Sequence, residues 1–207
     1  IARAFGMLLR LNCSLILLPV LRNVILFCSE LPFARFLPLE KNIQFHRKIA
    51  IMIGISALGH TVAHYFNLLA LANAPRTALE DYRVLERVDR GPNDDVPESP
   101  GVMFWAYGTI PGGTGHALLV VMLLLYCGAW KKLRHTNFEV FWYSHHLFVV
   151  YFGLLIGHGM QAILEAAGYW KWFVGPGTLY LLERIIRYTR AKQTTVIEKV
   201  RMHPSGV

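Results

Sequence analysis

Two stretches decide the fold: NIQFHRKIAIMIGISALGHTVAHYF at residues 42–66 and FEVFWYSHHLFVVYFGLLIGHG at residues 138–159. Each is long enough to cross a bilayer, because a helix needs about 20 mostly apolar residues to span about 30 Å of hydrocarbon. Each also carries several histidines, and an ionisable side chain inside a membrane helix is costly enough to indicate a function. These stretches therefore predict membrane helices that build a functional site.

Composition supports a membrane protein over the whole chain. Of its 207 residues, 54% are hydrophobic and only 16% are charged. The formal net charge of +8 comes from Lys and Arg at the ends of apolar runs, a pattern typical of membrane topology and not of nucleic-acid binding. The three cysteines stand singly, without the spacing of a zinc site, and are predicted to be packing residues.

Five apolar runs predict an all-α, polytopic membrane helix bundle. Backbone groups in lipid find partners only within helices or closed barrels, and the period-two alternation of a barrel is missing from the sequence. The runs are Ala4 to Phe27, Ile49 to Ala74, His116 to Trp130, Val140 to Ile163 and Tyr169 to Ile186. Ahead of the third run, PGGTG at 111–115 lacks the ending of a phosphate-binding loop and predicts a turn.

Basic residues at the run ends orient the bundle, because short cytoplasmic loops are rich in Lys and Arg. They predict that Ile1 lies outside and that the carboxyl-terminal tail lies in the cytoplasm. The connection 73–112 carries four Arg against seven acidic residues and suits the outer face. Since the sequence opens without Met or a signal-peptide pattern, a sixth helix is expected to precede these five in the parent protein.

The histidines of the second and fourth runs form two levels. His46 and His60 are fourteen residues apart, about 21 Å along a helix and nearly four full turns, so they face the same way. The two runs cross the membrane in the same direction, so His60 is expected opposite His158, and His46 opposite one of the adjacent histidines of the fourth run. Each pair can fill both axial positions of one iron, which predicts two stacked b-type haems.

Helical phase does not choose between His145 and His146. They precede His158 by thirteen and twelve residues, which leaves mismatches of about 140° and about 120° on an ideal helix. Local tightening, a kink near Gly153 or Gly157, or helix tilt is needed to recover the angle. The alternative for the whole set is hydrogen-bonded packing, or a haem-free column of histidines that conducts protons.

The chain resembles the membrane domain of the NADPH oxidases, within the wider ferric-reductase-like group. The matching text is NIQFHRKIA and GHTVAHYFN in the second run, FEVFWYSHHLFVVYFGLLIGHG in the fourth, and ARAFGMLLRLNCSLILLPVLRN in the first. The resemblance covers nearly the whole chain, the loop 73–112 excepted. It implies a multi-pass protein, expected in the plasma membrane, that passes electrons from NADPH and FAD in a cytosolic dehydrogenase domain through the inner and outer haems to molecular oxygen.

The domain limits follow from this resemblance. Residues 1–190 are expected to form the di-haem membrane domain. Residues 191–207, where the text turns polar and β-prone, are expected to begin the cytosolic FAD-binding domain. Superoxide or hydrogen peroxide would be the product.

The resemblance also implies the metal ligands. The first of the adjacent histidines is the family ligand, so the inner haem would take His46 and His145, and the outer haem His60 and His158. An aromatic residue between the haems would be Tyr151, for which ordinary helix packing is the alternative.

An oxygen site above the outer haem is implied as well, built from Arg3 and His64. A cation there would stabilise the nascent superoxide anion. The alternative for Arg3 is that it reaches the lipid headgroups or pairs with a haem propionate. Two other functions stay open: a ferric-chelate reductase of the same architecture, and a quinol-linked cytochrome b subunit.

Overall fold

The computed structural model describes residues 1–82, 84, 97, 99–160, 168 and 170–192, and every regular element within them is helical. The α-helices are α1 (Ala2–Leu15), α2 (Arg22–Ser29), α3 (Asn42–Ala72), α4 (Arg76–Asp81), α5 (Val102–Tyr107), α6 (Ile110–Gly128), α7 (Lys131–Thr136), α8 (Phe138–His145), α9 (Phe148–Met160) and α10 (Trp170–Ala191). Apart from positions 191 and 192, the predicted start of the cytosolic domain lies outside the described residues.

Four helical segments are long and apolar enough to cross a membrane. They are Ala2–Val20, Leu39–Ala72, Ile110–Gly128 and Phe138–Gly159. These segments match the first four predicted runs and confirm a multi-pass membrane helix bundle. The fifth run also forms a helix, α10, but it is not among the four, and its second half carries Glu183 and three arginines.

The first run is not one helix, contrary to the prediction. α1 ends at Leu15, a 3-10 turn spans Leu18–Val20, and α2 begins at Arg22. Pro19 explains the break, because its ring removes a backbone N–H donor and clashes with the preceding helical turn. The crossing segment therefore ends at Val20, and α2 lies beyond it.

The predicted turn at 111–115 is also wrong, because these residues form the beginning of α6. Thr109 caps the helix, and its hydroxyl oxygen accepts the Gly112 N–H at 3.2 Å. Pro111 suits this first turn, where a missing N–H leaves no helical hydrogen bond unmade. Gly112 lets α6 approach α5 closely, since a Cβ there would lie 2.5 Å from the Ala106 carbonyl oxygen.

The fourth run tightens directly after His145, between α8 and α9. Two consecutive amides, beginning with that of His146, donate to carbonyls three residues earlier instead of four. Each tightened residue winds the helix about 20° further, which reduces the angular mismatch between His145 and His158. The two tightened residues recover about 40° of the mismatch. The segment α9 continues unbroken through Gly153 and Gly157.

The remaining packing positions the histidine helices. α1 lies along α3, and α6 lies along α8 and α9, so each histidine-bearing segment is backed by a partner helix. At the far end of α3, Trp105 of α5 is fully buried and packs with Leu79 of α4 and with Val84. The part of the connection 73–112 that the structure describes therefore packs onto the membrane bundle.

Candidate functional site

His46 of α3 and His145 of α8, called here the first pair, come together in the structure. Their ring centroids are 6.3 Å apart, and the rings meet edge to face at 66°. Two imidazoles that bind one metal ion from opposite sides, each through a bond of about 2 Å, place their centroids roughly 6 Å apart. The spacing of the first pair therefore fits one iron between two half-buried rings.

His60 of α3 and His158 of α9, called here the second pair, lie close enough to interact electrostatically, and His64 interacts with both. The rings of His60 and His64 meet edge to face with centroids 4.4 Å apart. Residue numbers rise from the first pair to the second along both histidine-bearing segments. The two segments therefore run in the same direction, as the level-by-level prediction requires.

Hydrogen bonds fix the tautomer of both α3 ligand candidates. The Nδ1 atom of His46 lies 3.0 Å from the Ile16 carbonyl oxygen, and that of His60 lies 3.1 Å from the Ala2 carbonyl oxygen. A carbonyl oxygen only accepts, so both Nδ1 atoms carry the proton. Each Nε2 atom then keeps its lone pair, which is the state in which histidine binds a metal while its other nitrogen donates to a backbone carbonyl.

His158 reaches the same state through Thr114. The Thr114 hydroxyl donates its hydrogen to the Ile110 carbonyl at 2.6 Å, so it accepts from Nδ1 of His158 at 3.0 Å. Nδ1 of His145 is buried without a hydrogen-bond partner. Three of the four rings thus present an unprotonated Nε2, and the donor set fits bis-imidazole iron.

Two glycines lie directly against the rings of the second pair. A Cβ at Gly6 of α1 would lie 3.4 Å from Cε1 of His60, and one at Gly115 of α6 would lie 3.3 Å from Cε1 of His158. Sequence reasoning missed both glycines and Thr114. For Thr114 and Gly115 the available signal is the small-residue text at 111–115, which by itself predicts a turn.

Two other membrane histidines are placed differently. His146 is exposed, and its Nδ1 donates to the Trp142 carbonyl at 2.7 Å. His116 has both nitrogens engaged, since Nδ1 donates to the Gly112 carbonyl and Nε2 accepts from the Tyr65 hydroxyl, each at 2.8 Å. Over the described ranges, no group of three or more His, Cys, Asp or Glu side chains is arranged to hold a metal ion.

An apolar cluster around Cys13, Ile49 and Ile53, called here the central layer, lies between the two pairs. The two isoleucines fall between the pair members on α3. Tyr151 of α9 packs against this layer, six residues after His145 and seven before His158. Tyr151 is therefore midway between the two histidine levels along its own segment.

The two residues of the predicted oxygen site both adjoin the second pair. Arg3 is exposed in the first turn of α1 and follows Ala2, whose carbonyl accepts from His60. His64 follows His60 by one turn of α3 and touches its ring. The structure thus brings the His64 ring into contact with the second pair. The Arg3 backbone is next in sequence to Ala2, whose carbonyl accepts from His60.

Comparisons with known proteins point the same way. The family model described as ferric reductase like transmembrane component matches residues 5–156. The chain is 43% identical over 206 residues to a superoxide-generating NADPH oxidase heavy chain of Dictyostelium discoideum, covering 100% of this chain and 38% of that protein.

Animal relatives show the same relation. The chain is 32% identical over 263 residues to NADPH oxidase 3 of Homo sapiens, covering 100% of this chain and 44% of the relative. It is 31% identical to dual oxidase 2 of Rattus norvegicus over 194 residues, covering 94% of this chain and 12% of that relative. The chain thus spans less than half the length of each of these relatives.

Proposed function

The chain belongs to the family of ferric reductase like transmembrane components, and from this membership we propose that it carries electrons across a membrane to molecular oxygen, producing superoxide. The observation that carries the proposal is the pairing of imidazoles at two levels of co-directional helical segments, with the first pair 6.3 Å apart. The names of its relatives, which include superoxide-generating NADPH oxidases, support oxygen as the acceptor.

The proposed cofactors are two b-type haems, each held by one histidine pair. His46 and His145 would bind one haem, and His60 and His158 the other. A bound haem supplies an iron that changes between the ferric and ferrous states and so carries one electron at a time. The chain's part is to present Nε2 lone pairs, and the carbonyls of Ile16 and Ala2 support this by keeping the proton on Nδ1.

Oxygen would be reduced beside the second pair, on the outer side. If both imidazoles of the pair held a haem iron, oxygen would have to receive its electron without binding that iron. One electron converts dioxygen to the superoxide anion, and no bond is broken. The guanidinium of Arg3 and the imidazole of His64 are proposed to stabilise that negative charge as it forms.

Electrons would enter from a cytosolic dehydrogenase domain of the same parent chain, with NADPH as the donor and FAD as the carrier. The relatives are much longer than this chain, which leaves room for such a domain. The basic second half of α10, with Arg184, Arg187 and Arg190, supports a cytoplasmic carboxyl-terminal end by the positive-inside rule. The proposed location is the plasma membrane.

The acceptor is tested by reoxidation of the reduced, purified full-length protein. We expect molecular oxygen to reoxidise it faster than a ferric chelate does, and superoxide to form in step with the loss of the reduced haem spectrum. The Arg3→Ser variant should slow only the reaction with oxygen. Arg35→Ser, which changes an exposed arginine of a 3-10 segment outside the four candidate spans, is the matched control.

Other results would favour the competing functions. Faster reoxidation by the ferric chelate, with the oxygen rate unchanged in Arg3→Ser, would favour a metal reductase and overturn the oxygen assignment. Reduction that depends on added quinol and proceeds without FAD would favour a cytochrome b subunit instead.

A further inference from the structure

A charged side chain lies inside the first membrane-crossing segment, Ala2–Val20. Arg10 of α1 is near the middle of this segment, and at 1.5 Å per residue its backbone is about 12 Å from one end and about 15 Å from the other. An arginine side chain is shorter than either distance. Its guanidinium therefore cannot reach the headgroups at either surface by extending along the helix, as arginines near helix ends do.

Within the part of the chain that the structure describes, the Arg10 guanidinium makes one hydrogen bond. Its Nη1 donates to the sulfur of Met7 at 3.7 Å, and a thioether is a weak, uncharged acceptor. A guanidinium carries five N–H donors and does not lose its charge in proteins. No described carboxylate lies within salt-bridge distance of it. A cation in this position is costly inside a membrane unless an anion balances it, which indicates a ligand.

The position of Arg10 on α1 turns it toward the second pair. Gly6 lies one helical turn before it and Ser14 one turn after it, so the three share a face. Both neighbours face the bundle, since a Cβ at Gly6 would lie 3.4 Å from Cε1 of His60, and Ser14 is 4% exposed. Arg10 also lies close enough to His60 for an electrostatic interaction. The anion that balances Arg10 is therefore expected beside His60.

We propose that Arg10 binds a propionate carboxylate of the haem held by His60 and His158. This inference rests on the proposed function, because it requires that haem. A b-type haem brings its own carboxylates into the bundle on its propionate groups. A guanidinium can bind a carboxylate through two parallel hydrogen bonds, and such charged bonds are strong in apolar surroundings. Arg10 then holds the haem at its edge, while the two imidazoles hold the iron.

The test compares haem with haem dimethyl ester, in which the propionates are methylated and uncharged. The full-length protein is synthesised in lipid nanodiscs with a graded supply of one or the other, and occupancy of the second pair is read from the reduction step that His60→Ala loses. With haem, Arg10→Gln should weaken the affinity of the second pair by about tenfold to a hundredfold, the factor for one hydrogen bond to a charged group. With the ester, Arg10→Gln and the wild type should bind equally.

Two further variants make the comparison specific. Arg10→Lys keeps the charge but not the paired donors of the guanidinium, so its affinity for haem should lie between those of the wild type and Arg10→Gln. Arg35→Gln removes an exposed arginine of a 3-10 segment outside the four candidate spans and is the matched control, with wild-type affinity for both ligands. The first pair is an internal control, because Arg10→Gln should leave its occupancy unchanged.

The outcomes separate this inference from the proposed function. A protein that takes up no haem overturns both. A protein with haem at the second pair in which Arg10→Gln weakens the binding of haem and of its ester equally, or weakens neither, overturns the carboxylate site alone. Haem dimethyl ester that binds the wild type as tightly as haem does would overturn it as well.

Discussion

Replacement of Gly112 by alanine is predicted to release the haem of the second pair and to leave the haem of the first pair in place. Gly112 lies in the first turn of α6, where a Cβ would stand 2.5 Å from the Ala106 carbonyl oxygen and against that of Trp105. These are backbone atoms of α5, which cannot rotate aside as a side chain would. The start of α6 must therefore move.

The size of this movement follows from the contact distances. Ordinary van der Waals contact begins near 3.4 Å, so α5 and α6 must separate by about 1 Å. Thr114, two residues further on, accepts from Nδ1 of His158 at 3.0 Å, and the same shift would stretch this distance to about 4 Å, beyond a hydrogen bond. Loss of such a partner lowers the metal affinity of a histidine site by about 10–100-fold. The crowding itself should cost about 1–3 kcal/mol of stability.

The assay is the haem content per chain together with a spectroelectrochemical titration. Gly112→Ala should lose one of the two reduction steps, the one that is also lost in His60→Ala, and should keep the one lost in His46→Ala. Gly113→Ala is the matched control, because its Cβ would lie 3.6 Å from the Tyr107 carbonyl oxygen, an ordinary contact. Equal haem content in the two glycine variants would refute the reasoning.

Three further predictions concern the histidines and the cluster around Trp105. His145→Ala should lose the haem of the first pair. His146→Ala should keep both haems, because the His146 ring is exposed and bonded to the Trp142 carbonyl. Equal haem losses in the two variants would contradict the assignment of His145 as the ligand. His116→Ala should keep both haem spectra, because both of its nitrogens are already engaged, and loss of either haem would show that its ring is needed at the site. Trp105→Ala should lower the free energy of unfolding by about 3–5 kcal/mol, since the ring is fully buried. The matched change Met103→Ala, at a side chain that is 71% exposed, should have little effect in the same unfolding experiment. Equal losses of unfolding free energy in the two variants would show that burial of Trp105 does not stabilise the fold.

Much of the site was predictable because helix geometry is regular. The fourteen-residue spacing places His46 and His60 on one face of the unbroken α3, and the two histidine-bearing segments run in the same direction, as the sequence predicts. The angular positions of His145 and His146 on an ideal helix could not decide which of them faces His46. The structure separates them by contact, since the His145 ring lies against His46 while His146 is exposed and bonded to Trp142.

The remaining differences come from contacts between helices. Gly112 and Gly115 suggested a turn, but both lie in α6. Because Gly112 has no side chain, α6 lies close to α5, and because Gly115 has none, α6 lies close to the His158 ring. Pro19 interrupts an apolar run that hydropathy alone treats as continuous.

The most direct test of the paired-histidine site is the absorption and paramagnetic resonance spectra of the purified full-length protein, with haem counted per chain. Two six-coordinate, low-spin haems with imidazole on both faces are predicted, together with the loss of one when either member of a histidine pair is replaced. A protein that carries no haem, or whose ferrous iron binds carbon monoxide readily at an open position, would contradict it.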